Sequence, residues 1–188
     1  MSRNAMYDSY IESTKDRFFA TNFSDFNIDP TLNDFFKYES VSILYKMKAV
    51  YEAKDSDYSE NDLPMGNLIE SKELGIQPWK GVLLRIGDKK RRIGSFLNKE
   101  SFKVKDEAVD DTLIDMANYS FLGCCLWSLD FNSEFYYEVH NAWLEMSYLC
   151  VIAKVLFNND TDKSSWKVII WPIILENYNK LANFALEH

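Results

Sequence analysis

Apolar residues recur at intervals of three and four along most of this chain, which is the spacing of amphipathic α-helices. The pattern predicts helices over residues 5–20, 31–54, 79–98, 106–127, 134–157 and 164–187. Pro172 interrupts the last of these regions, and we expect two helical pieces there because proline fits only the first turn of a helix. The chain is therefore predicted to be all-α, a bundle of five to six helices with little or no sheet.

One long stretch, Lys54–Gln77, breaks the helical pattern with Asp, Asn, Pro and Gly residues. It is predicted to be a loop, with room for a short helix around Gly66–Lys72. A loop of this length inside a compact domain is either a solvated connection or a functional lid. In the functional interpretation, Tyr58 or the nearby Trp79 stacks on a base.

Composition narrows the classes of partner. The 188 residues suffice for a single domain, 1–188, with a hydrophobic core, and 47% of them are hydrophobic. The formal net charge of −8 disfavours a nucleic-acid polymer or an anionic membrane as partner, because both need a basic face.

The three cysteines do not suggest a disulfide framework, and the longest apolar stretches are too short to span a bilayer. The N-terminus has no apolar signal core, so the expected location is the cytoplasm.

Acidic residues form a stripe on the predicted helix 106–127. At about 100° per residue, Glu107, Asp111, Asp115 and Asn118 fall within roughly 80° of one another. The remaining positions of this helix are apolar on nearly every other side, which is typical of a buried helix. Stacked carboxylates in such a place repel one another, and Mg²⁺ would offset the repulsion because it takes oxygen ligands.

The preceding helix, 79–98, supplies the opposite charge in an otherwise acidic protein. Its basic residues fall within eight positions: Arg85, Lys89, Lys90, Arg91 and Arg92. Arginine and lysine in such a group suit a phosphorylated ligand. Residues Arg85, Lys89 and Arg92 are the predicted phosphate contacts, and Asp88 is a fourth candidate metal ligand beside Glu107, Asp111 and Asp115. We expect Asn118 and Tyr119 to hydrogen-bond the sugar or the base.

Three ordered segments carry a family resemblance: KDSDYSENDLPMGNL (54–68), PWKGVLLRIGDKKRRI (78–93) and KDEAVDDTLIDMANY (105–119). They resemble the phage and bacterial nucleotide-modification-associated domain family, which is more distantly similar to the all-α MazG-like nucleoside triphosphate pyrophosphohydrolases. The resemblance covers residues 45–122. It implies a MazG-like nucleotide-handling bundle built around the helical hairpin 79–98 and 106–127. The C-terminal helices predicted over 133–187 lie outside the family-like region.

The resemblance also implies an activity, with Glu107, Asp111 and Asp115 as the catalytic acids. A Mg²⁺-dependent pyrophosphohydrolase would release a nucleoside monophosphate and pyrophosphate. The chain departs from the MazG-like pattern, because Arg85 and Asp88 stand where a Glu-x-x-Glu pair is expected. The alternative is a non-catalytic viral protein of the host cytoplasm that sequesters a nucleotide immune signal and so inhibits antiphage defence. A third hypothesis is a purely structural partner of another protein. MazG-like relatives are usually dimers or tetramers, so we expect a homo-oligomer.

Overall fold

The computed structural model describes residues 3–58, 70–99, 109–130, 135–159 and 166–188, and all regular structure within these ranges is helical. The six α-helices of these ranges are α1 (Arg3–Ala20), α2 (Asn33–Tyr58), α3 (Pro78–Lys99), α4 (Val109–Asp130), α5 (Tyr136–Asn159) and α6 (Trp171–Glu187). Short 3₁₀ turns span Phe23–Phe26, Pro30–Leu32 and Glu70–Leu74, and a π-helical turn spans Trp166–Ile170. Within the same ranges, no helix is long and apolar enough to cross a membrane.

The all-α prediction is confirmed over the described residues, and the predicted helix ends differ from the observed ones by a few positions. The largest difference is at α2, which continues to Tyr58 although a loop was expected from Lys54. The expected short helix around 66–72 falls mostly outside the described residues, and its visible end is the 3₁₀ turn. Gly75 terminates that turn with φ of +71°, a conformation that favours glycine.

The two-piece prediction for the C-terminal region is also confirmed. The π-helical turn ends at Ile170, and α6 begins at Trp171 with Pro172 in its first turn. Proline is tolerated at this position because the first N–H groups of a helix have no partner within it.

The core forms around α4, which packs against α3 on one side and α5 on another. Of the described helix pairs, α4 and α5 make the most extensive contact. At their crossing, a Cβ atom added to Gly123 would overlap the Trp143 ring, so the glycine allows the two helices to approach. The expected hairpin of α3 and α4 therefore provides one of the two large interfaces of α4. The other is with α5, which also belongs to the core.

Helix α1 is tied to this core by a chain of buried hydroxyl groups. The Ser147 hydroxyl donates to the Ala117 carbonyl at 2.8 Å, and it lies 2.6 Å from the Tyr10 hydroxyl. Because the serine proton is already committed, the Tyr10 hydroxyl donates to Ser147. These hydrogen bonds link α1, α5 and α4 across the centre of the bundle.

Candidate functional site

One strip of α4 reaches the surface between α2 and α3. Asp111 is exposed and Asp115 and Tyr119 are half-buried, whereas most of the rest of the helix is buried. The three residues repeat every four positions, so they lie above one another on the helix. The strip is bordered by α3 through Asp115 and by α2 through Asn118. We call these three residues the α4 strip.

An ion pair connects the α4 strip to α3. The Lys89 ammonium lies 2.8 Å from the Asp115 carboxylate, and the two side chains are 18% and 17% exposed. Lys89 lies between Ile86 and Ile93, which are fully buried residues of the core-facing stripe of α3. A charged residue at such a position needs a partner, because an isolated charge in apolar surroundings is costly. The pair brings together a predicted phosphate contact and a predicted metal ligand.

The basic residues of α3 divide into two groups with different directions. Positions 85, 89 and 92 fall within about 60° on the helix, on the side of the α4 strip. Lys90 instead lies over the Tyr178 ring of α6, with its ammonium 3.9 Å from the ring centre. Burial and the neighbouring Arg91 lower the pKa of Lys90. Lys90 is therefore directed away from Arg85, Lys89 and Arg92, whose assignment as phosphate contacts stays a prediction.

The location of Asp88 corrects its assignment as a metal ligand. Its carboxylate is exposed and pairs with the Arg91 guanidinium on the same helix. That pair lies on the solvent side of α3, whereas Asp115 faces Lys89 at the interface. Asp88 is thus held away from the other proposed ligands.

Asn118 is also placed differently from its expected role. Its side chain is 7% exposed, accepts a hydrogen bond from the Tyr7 hydroxyl, and donates to the Met47 carbonyl at 3.2 Å. Burial raises the pKa of Tyr7, so this hydroxyl remains a protonated donor. Asn118 joins α1 and α2 to α4, and its contacts to the protein replace the expected contacts to sugar or base.

Trp79 likewise belongs to the core and leaves no ring face open for a base. It is fully buried, with its ring centre 5.3 Å from that of Trp127. The side chain of Tyr58 and all of Glu107 lie outside the described residues. Of the expected base and sugar contacts, Tyr119 keeps a surface position on the α4 strip.

The described carboxylates do not by themselves form a magnesium site. Across the described ranges, no three His, Cys, Asp or Glu residues come together in a way that could hold a metal ion. Asp111 and Asp115 lie one turn apart, but Asp115 is engaged by Lys89. The described Mg²⁺ ligands of the prediction, Asp111 and Asp115, therefore do not fit the ion without Glu107.

A second lysine–aspartate pair was missed from the sequence. Lys154 of α5 is 4% exposed, and its ammonium lies 3.0 Å from the Asp110 carboxylate of α4. The signal was a lysine within the apolar run YLCVIAKVLF (148–157), where a lone charge requires a partner. This pair lies at the α4–α5 interface, away from the α4 strip.

A comparison of the chain with protein families, curated proteins and solved structures finds no match.

Proposed function

We propose that this protein binds a nucleotide on the face formed by α3 and the α4 strip. The phosphates would contact Arg85, Lys89 and Arg92, and the sugar or base would lie along Asp115 and Tyr119. The observation that carries the proposal is the Lys89–Asp115 pair, a cation and a carboxylate only partly covered between two helices. Cationic side chains at such a position form strong, charge-assisted hydrogen bonds with phosphate oxygens.

Partial exposure supports binding over a purely structural role for the pair. A fully exposed ion pair contributes little to stability, and a fully buried one is inaccessible to ligand. Lys89 and Asp115 lie between these limits, so a ligand phosphate can replace Asp115 as the partner of Lys89. The released carboxylate can then accept hydrogen bonds from a sugar hydroxyl or a base amine.

Binding without turnover is the primary proposal, and a viral protein of this kind would sequester a nucleotide immune signal. Metal-assisted phosphoryl chemistry needs carboxylates that hold the ion, and the described residues do not gather three. Nucleoside triphosphate pyrophosphohydrolysis is the second candidate. It is favoured by the positions of Asp111 and Asp115 one turn apart on a surface strip, and it would require Glu107 and Mg²⁺ to complete the site.

The test is mass spectrometry of small molecules released by heating the purified protein. It is followed by incubation with excess nucleotides and Mg²⁺ and by chromatography of the products. Intact nucleotide recovered in stoichiometric amount supports sequestration. Monophosphate accumulating beyond one equivalent per protein supports the hydrolase instead. If no nucleotide copurifies and a nucleotide panel causes no thermal shift, both proposals fail and the structural hypothesis remains.

We also propose that the protein is a homo-oligomer. Aromatic side chains on the outer side of α2 support this, because Phe35, Tyr38 and Tyr45 are 46%, 66% and 50% exposed. Exposed aromatic residues on one side of a helix are typical of interfaces. Light scattering coupled to size-exclusion chromatography tests it, and a monomer at micromolar concentration would contradict it.

A further inference from the structure

A groove separates the beginning of α5 from the second half of α6, and it is distinct from the α3–α4 face. Its volume is about 310 Å³, which is near the lower end of the range for small-molecule sites. The floor is apolar and buried, formed by Val139, Ala142 and Leu181. Such a floor gives a small ligand apolar surface to cover.

Aromatic rings form one wall of this groove. The Phe184 and His188 rings are stacked with centres 4.1 Å apart, and the Phe135 ring centre lies 6.2 Å from that of Phe184. Phe135 is 43% exposed, so part of its ring is available to a ligand. Aromatic ring faces carry partial negative charge and attract cations that lie within about 6 Å of the ring centre.

The charged residues at the groove, like its aromatic rings, favour a cationic ligand. Two carboxylates, Glu138 and Glu187, line it and are exposed, and neither has an ion pair with a cation in the described part of the chain. The lining also includes Lys180, but its ammonium is 3.0 Å from the Glu176 carboxylate on the same helix. The charge left for a ligand is therefore negative.

We propose that this groove binds a small organic cation with an apolar body, such as an aryl or alkyl quaternary ammonium ion. The apolar body would cover Val139 and Leu181, and the charge would lie between the Phe135 ring and the Glu138 carboxylate. Neutral and anionic molecules of the same size lack this complementarity. The inference uses no residue of the α3–α4 face and is independent of nucleotide binding.

The experiment is a titration of ¹⁵N-labelled full-length protein with benzyltrimethylammonium, benzyl alcohol and phenylacetate, followed by amide chemical shifts. Saturable shifts at 138–142 and 180–185 are expected with the ammonium ion alone. Phe135→Ala and Glu138→Gln are each expected to weaken binding about two- to fivefold, the range for a cation–aromatic or charge contact at an exposed site. Tyr137→Ala and Asp16→Asn are matched controls, because both residues are exposed and lie outside the groove.

Two results would overturn the proposal. One is an equal response to all three probes, or chemical-shift changes that are spread over the protein instead of clustered at the groove. The other is unchanged affinity in Phe135→Ala and Glu138→Gln variants whose spectra show that they are folded. Glu138→Gln keeps the test decisive even if Phe135→Ala disturbs the beginning of α5.

Discussion

Helix α4 carries two lysine–aspartate pairs that differ in their surroundings. Toward α5, Lys154 and Asp110 are 3.0 Å apart, and their side chains are 5% and 33% exposed. Toward α3, Lys89 and Asp115 are 2.8 Å apart and both side chains are nearly one-fifth exposed. The aspartate is covered more on the α3 side, so the pairs differ in accessibility at the lysine: Lys154 is buried, whereas Lys89 is partly accessible.

Two glycines, one on α4 and one on α3, also differ in the space around them. At the α4–α5 interface, Gly123 contacts the Trp143 ring so closely that even a methyl group does not fit. On α3, Gly94 has open space where a Cβ would be placed. Gly123 thus lies in close-packed core, whereas α3 has space for a methyl group at Gly94 but not at Gly87, where an added Cβ would lie 2.8 Å from the Tyr178 hydroxyl.

The largest expected effect follows from this difference in space. Gly123→Ala should lower the free energy of unfolding by about 3 kcal/mol or more, because overpacking forces the helices apart. Gly94→Ala is the matched control and should raise stability by about 0.5–1 kcal/mol through helix propensity. Urea denaturation followed by circular dichroism measures both, and equal effects at the two sites would contradict the packing difference.

The next effect comes from removing one acid of each pair. Asp110→Asn leaves the buried Lys154 without a full countercharge, and we expect a loss of about 2–3 kcal/mol, less than for a fully buried pair because Asp110 is one-third exposed. Asp115→Asn leaves Lys89, which is 18% exposed and can be hydrated, so this change should cost about 1 kcal/mol or less. The denaturant midpoints of the two variants measure this difference. A lower midpoint for Asp115→Asn than for Asp110→Asn would contradict it.

The buried thiols are expected to have a smaller effect, per pH unit, on the free energy of unfolding. Burial raises the pKa of Cys124, Cys125 and Cys150, and that of Cys125 rises from 9.0 to about 12. The unfolded thiol loses its proton first, so stability is full below about pH 9 and falls as pH rises toward 12. Each thiol contributes up to about 1.4 kcal/mol per pH unit.

Cys125→Ala isolates the contribution of one thiol. Its stability should decline less steeply between pH 9 and 12 than that of the original protein, by about 1.4 kcal/mol per pH unit at most. Identical slopes from pH-dependent urea denaturation would show that Cys125 is not buried as a neutral thiol.

Periodicity in the sequence was enough to predict the helices and the break at Pro172, because both depend on local rules. It predicted a phosphate contact at Lys89 and a metal ligand at Asp115; the structure pairs the two side chains, and their roles stay predictions. It misassigned Asn118 and Trp79, since a helical wheel gives the direction of a side chain but not the neighbouring helix. The hydrogen bonds of Asn118 to α1 and α2 depend on contacts from residues 71 and 111 positions away.

An effect on stability as small as that of Asp115→Asn is expected at Lys89. Lys89→Gln removes one member of a partly exposed pair and should change the free energy of unfolding by about 1 kcal/mol or less. A small stability change makes this variant suitable for binding measurements, because its fold is preserved. A loss well above this value would indicate that the pair is structural, like Lys154–Asp110.

The central claim is that the Lys89–Asp115 pair belongs to a nucleotide-binding face. Calorimetric titration with nucleotides, with and without Mg²⁺, tests it most directly. Arg91→Gln is the matched control, because it removes one charge from the same helix at a residue paired with Asp88. We predict that Lys89→Gln weakens binding by about tenfold or more, the loss of one charge-assisted contact, and that Arg91→Gln leaves it nearly unchanged. Equal affinities for the original protein and both variants, or no binding by the original protein, would contradict the account.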